Sequence, residues 1–133
     1  MSFIATFFSL LFGLTNNQTA YLNVLALPVV SASAPALSSA PTCDITLLFF
    51  DGQSNLIKST EVIIDPGGST TYSLTSKEVK SLGKERVLVY GEVGVGSDSD
   101  VSCVIQASLE LVDPEGRQES LTPLAARRGP TTF

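Results

Sequence analysis

The sequence predicts an all-β chain, an antiparallel β-sandwich of immunoglobulin-like or jelly-roll-like type with about seven strands. Three observations carry this. Apolar residues alternate with period two in short runs. Clusters of Gly, Pro, Asn, Asp and Ser recur between the runs at roughly ten-residue spacing. No stretch keeps a long 3.6-residue apolar period, which argues against an α/β fold.

The elements follow in order. Residues 3–12 and 18–27 read as strands separated by the turn-rich Gly13-Leu14-Thr15-Asn16-Asn17. Residues 43–50 alternate, with Cys43, Ile45, Leu47 and Phe49 on one face. Asp51-Gly52-Gln53-Ser54-Asn55 is a hairpin loop with an Asp-Gly signal. Residues 56–65 form the next strand, and Asp65-Pro66-Gly67-Gly68 is a tight turn that Pro and Gly pre-shape. A strand over 69–74 leads to a helical turn opened by Thr75 or Ser76 ahead of Glu78. Residues 85–95 alternate, Gly96 to Asp100 form a polar loop, and 101–113 are the last strand, closed by Asp113-Pro114-Glu115-Gly116. The expected core of the 43–113 body is Ile45, Leu47, Phe49, Val62, Ile64, Tyr72, Leu74, Val87, Val89, Val93, Ile105, Ala107, Leu109 and Leu111.

Composition limits the function. The 133 residues include 13 acids and 8 bases, a net charge of −5, and neither His nor Trp. An acidic chain lacks the basic patch that nucleic-acid binding needs. The absence of His removes the commonest general base and metal ligand. The serines have no His to activate them. Asp98 and Asp100 could offer oxygens to calcium, but two carboxylates in an acidic loop read as solvated. Gly91, Gly94 and Gly96 lie in an alternating strand that opens no helix, so they are not a phosphate cradle. The chain is therefore expected not to be an enzyme, with no catalytic residue, no cofactor and no metal.

Charge is unevenly distributed. Residues 1–43 carry none; the first charge is Asp44 and the first base Lys58. The run from Phe3 to Leu14 is about twelve residues, short of the roughly twenty a membrane-spanning helix needs. It lacks the basic n-region of a signal peptide, and Asn16-Asn17-Gln18 interrupts any longer signal ending at Ala32-Ser33-Ala34. It is expected to belong to the finished structure. Residues 28–41, rich in Ala, Ser and Pro, read as an extended connector. The expected organisation is an apolar donor strand and hinge over 1–17, the sandwich over 18–113, and a tail over 114–133.

Cys43 and Cys103 each stand at the head of a strand, in phase with its apolar face. A small exported domain would join them, stabilising by roughly 4 kcal/mol in the chain-entropy model; reduced core thiols are the alternative.

The run from Gln18 to Val24, Cys43 to Gly52, Val62 to Leu74, Val87 to Val95 and Cys103 to Asp113 resembles a group of small, mostly uncharacterised exported bacterial β-sandwich proteins. They share a strand opened by "GQT", a Cys-led strand ending in Asp-x-x-Gly, a "PG" turn and a Cys-led "SLEV" strand. The resemblance spans about residues 13 to 113. It implies export, the sandwich and the Cys43–Cys103 pair, and it supplies no activity. The apolar extension over 1–12 and the lack of an evident export signal depart from the pattern.

Along residues 3–12 both faces are apolar, and a strand apolar on both sides needs cover on both sides. Insertion into a neighbouring copy would supply it, and repeated head to tail it would build a filament. The first expectation is therefore a structural subunit of an extracellular or cell-surface, pilus-like fibre. Its only partners would be copies of itself, with no nucleic acid and no stable membrane span. The strand inserted into the neighbour would be carried by Phe3, Ile4, Phe7, Phe8, Leu10, Leu11 and Phe12. The alternative is a secreted or surface binding module for carbohydrate or another surface component, with Tyr21, Tyr72 and Tyr90 as contact aromatics.

Overall fold

The structure is a computed structural model that describes residues 2–15, 17–27, 42–79, 86–96, 104–127 and 131–132. The described residues form β1 (Ser2–Phe8), β2 (Phe12–Thr15), β3 (Thr19–Ala26), β4 (Cys43–Asp51), β5 (Leu56–Ile64), β6 (Ser69–Thr75), α1 (Ser76–Val79), β7 (Arg86–Gly96), β8 (Ile105–Val112), β9 (Gln118–Pro123), β10 (Ala125–Arg127) and β11 (Thr131–Thr132). They make two antiparallel sheets. Sheet A runs β10-β1-β7-β4-β5, with β11 also beside β1 and β2 beside β7; sheet B runs β6-β3-β8-β9.

The alternation expected from the sequence sets which side chains are inside. Cys43, Ile45, Leu47 and Phe49 of β4 and Val87, Val89, Val93 and Val95 of β7 are buried on one face of sheet A. Ala20, Leu22, Val24 and Ala26 of β3, with Ile105, Ala107 and Leu109 of β8, are buried on one face of sheet B, and all belong to one core cluster. Every core residue expected in the 43–113 body is buried or half-buried.

The two sheets meet closely at Gly91. A Cβ added there would lie 2.6 Å from Cδ2 of Leu22, a residue with no exposed surface. Glycine in the middle of β7 thus lets sheet A approach sheet B, one of the uses of glycine within a strand.

Turn chemistry fixes the hairpins. The Asp51 carboxylate accepts from the N–H of Gln53 and of Asn55, both at 2.9 Å. At Asp65-Pro66-Gly67-Gly68, Gly67 has φ of 82° and the Gly68 N–H donates to the Asp65 carbonyl at 2.8 Å, the pattern of a type II turn. This turn is bonded to β3, because the Gly67 N–H donates to the Ala26 carbonyl at 2.7 Å.

Three expectations are corrected. The strand over 3–12 is broken: Phe8 faces Glu92 and Phe12 faces Val89, so three residues of this strand oppose two of β7. Ser9 fills the bulge, its N–H donating to the Gly91 carbonyl at 3.0 Å and its hydroxyl accepting from the Gly91 N–H at 2.8 Å. Leu10 and Leu11, expected to be buried, are thrown outward and are 82% and 54% exposed.

Second, β1 is not unpartnered within its own chain; it lies between β7 on one side and β10 and β11 on the other. Third, the expected tail supplies β9, β10 and β11. The Asp113–Gly116 turn, whose Gly116 has φ of 83°, opens a hairpin into β9 and does not end the last strand. The connector over 28–41 and the start of the strand over 101–103 lie outside the described residues.

Gly91→Ala is expected to lower stability by about 1–3 kcal/mol, because Leu22 has no solvent into which to move. Denaturant unfolding at unchanged m-value checks this, and a variant as stable as the parent would show that the sheets are less tightly apposed.

Candidate functional site

With one face of each sheet committed to the core, the chemistry lies on the outer faces. On sheet B, antiparallel register sets Thr71, Asn23 and Ser108 side by side, and Ser73, Tyr21 and Glu110 in the next row. These residues alternate with the buried Ala20, Leu22 and Val24, so they point away from the core.

A shallow groove of about 510 Å³ runs over this face, lined among others by Asn23, Leu25, Ser69, Thr71, Gln106 and Ser108. None of its lining residues is charged. The Thr71 hydroxyl donates to Asn23 Oδ1 at 3.0 Å, which orients the amide. A second groove of about 450 Å³ is lined by Tyr21 with Asn17, Gln18, Lys77 and Asp113 among others. Tyr21, half-buried, lines this second groove and is two residues from Asn23 on the same face of β3.

The other two candidate tyrosines serve packing. Tyr72 stacks on Phe49 with ring centroids 5.8 Å apart. Tyr90 stacks on Phe50 at 5.2 Å, and its hydroxyl donates to Ser54 Oγ at 3.1 Å.

A charged cluster ties the edges of the two sheets together. Lys58 of β5 pairs with Glu78 of α1 at 2.8 Å, donates to the Ser73 carbonyl, and lies 4.5 Å from the centroid of the Tyr72 ring. Glu78 Oε1 also accepts from the Thr75 N–H at 2.9 Å, which caps the helical turn as its sequence foretold. Burial pushes Glu78 upward, but hydrogen bonds from Lys58 and Thr75 with the Lys58 charge outweigh it and hold the carboxyl below its usual range. Burial, and then the charge of Glu78, push the Tyr72 phenol up.

The remaining candidates are placed as follows. Phe7 and Phe12 pack against the core and Phe8 is half-buried, while Phe3 and Ile4 lie in β1. Cys43 is buried at the head of β4 at 3% exposure, and no cysteine among the described residues is free. Cys103, Asp98 and Asp100 lie outside the described residues. Among the described residues no three His, Cys, Asp or Glu gather as a metal site, and no helix is long and apolar enough to cross a membrane.

The sequence reading missed the groove residues Asn23, Thr71, Gln106 and Ser108, which come from three strands and meet only once register is known. It also missed a buried polar row on the outer face of sheet A. Thr6 and Thr46 oppose Gly94, and Glu92 lies between Phe8 and Leu48; Thr6, Thr46 and Glu92 are at most 6% exposed. Their signal was the phase that Thr6 shares with Phe8 in an otherwise apolar strand.

No family model, no curated protein and no solved structure matches the chain.

The lowered carboxyl of Glu78 fixes a pH dependence. A folded-state pKa below the unfolded one stabilises above the unfolded pKa, and that contribution is lost as pH falls through the folded pKa. Glu78→Gln is therefore expected to lower stability at neutral pH and to lose its difference from the parent in acid. Thermal unfolding across pH 2–7 reads this, and a difference that is constant with pH would contradict it.

Proposed function

We propose that the chain is a non-catalytic binding module of an extracellular or cell-surface protein. In this reading it is an immunoglobulin-like β-sandwich closed by a Cys43–Cys103 bridge. It holds a neutral carbohydrate on the outer face of sheet B.

The observation that carries the reading is the uncharged groove of Asn23, Thr71, Gln106 and Ser108, with Tyr21 two residues from Asn23 on the same face of β3. A neutral sugar presents hydroxyls that both donate and accept. Asn, Gln, Ser and Thr side chains offer the matching donors and acceptors without the cost of stripping water from an ion. Tyr21 adds a ring whose body is apolar and whose tip is polar, the type of side chain that suits a half-wet contact. A groove open along the strands fits a chain-like ligand better than a small molecule enclosed on all sides.

Tyr21→Ala is expected to weaken binding of a neutral polysaccharide about tenfold, near 1.4 kcal/mol. Tyr90→Phe, on the other sheet, should leave binding unchanged. Affinity electrophoresis in gels cast with neutral polysaccharides checks both. Unretarded parent protein in every such gel would contradict the reading, and so would a Tyr21→Ala variant that binds as the parent does.

A further inference from the structure

We infer that β1 is an exchangeable strand, able to leave its place beside β7 and fill the same place in a second copy of this chain. This rests on sheet A and is independent of the ligand face on sheet B.

Four observations carry it. β1 is linked to β2 by the bulge at residues 9–11, which lie outside both strands. On its far side, among the described residues, it is held by short strands, with three register pairs to β10 and two to β11. The Thr6 hydroxyl is fully buried and finds no hydrogen-bond partner among the described residues, which weakens the hold of the strand on its site. The joint itself exposes Leu10 at 82% and Leu11 at 54%.

Exchange changes little inside each copy, because the contacts β1 leaves are remade in the neighbour. β1 carries no charge, so its passage between copies buries no unpaired ion. What changes is the joint. When residues 9–11 extend between two copies, Leu10 and Leu11 lie where the copies meet and leave water. Reciprocal exchange closes a dimer, while exchange passed head to tail leaves the assembly open and builds a fibre.

The test uses full-length chains. Ala5 and Val95 are register partners across β1 and β7, so one population carries Ala5→Cys and another Val95→Cys. The two are unfolded, mixed, refolded together and oxidised. A chain carrying both substitutions serves as the control that the geometry permits a bridge. The expected result is a disulfide joining position 5 of one chain to position 95 of the other, located by peptide mapping.

The unsubstituted chain supplies a second measurement by sedimentation velocity after refolding at rising concentration. Dimers or longer assemblies are expected, and Leu10→Lys, which alters only an exposed side chain of the monomer, should reduce them several-fold. A control that bridges within one chain while the mixture yields no bridge between chains would overturn the inference. So would an unsubstituted chain that sediments as a monomer at every concentration.

Discussion

The fold depends on the close contact of β7 with β3, where a missing side chain at Gly91 admits Leu22. β7 is the strand on which sheet A is assembled, pairing with β1, β2 and β4. β3 holds the same position in sheet B between β6 and β8. Bringing these two strands together closes the core over Ile45, Leu47, Phe49, Val89 and Val93. Burial of such side chains contributes roughly 1.5–3 kcal/mol each before ordering costs. Once that face of each sheet is committed, strand alternation leaves every second residue on an outer face.

The two outer faces have different chemistry. Sheet B turns outward Asn23, Thr71, Gln106 and Ser108, an uncharged groove of amides and hydroxyls. Sheet A turns inward from water even on its outer side, where Thr6, Thr46 and Glu92 are buried. The lack of charge in residues 1–43 is consistent with both. β1 can lie inside sheet A, and β3 can cross sheet B without placing an ion in the groove. The cluster of Lys58, Glu78 and Tyr72 links β5 of sheet A to β6 of sheet B and α1.

The alternation of Cys43, Ile45, Leu47 and Phe49 was legible because one face of β4 is apolar and the other mixed. The turns at Asp51-Gly52, Asp65-Pro66-Gly67 and Thr75 to Glu78 were legible because each needs particular residues. The break at Ser9 was not, since both phases of residues 3–12 are apolar and periodicity has nothing to distinguish. β9 left no pattern because all six of its residues are exposed. Its one clue, the Asp113-Pro114-Glu115-Gly116 turn, reads equally well as an ending. The groove was hidden for another reason. Its residues are distant in sequence and unremarkable singly, and only the pairing of β3 with β6 and β8 makes them neighbours.

The most direct test of the ligand face is a titration of the ¹⁵N-labelled chain with a neutral oligosaccharide, followed by amide chemical shifts. Binding on sheet B moves the signals of Tyr21, Asn23, Thr71, Gln106 and Ser108 together and leaves those of β4 and β5 in place. Shifts centred on the outer face of sheet A, or none at saturating sugar, would contradict it.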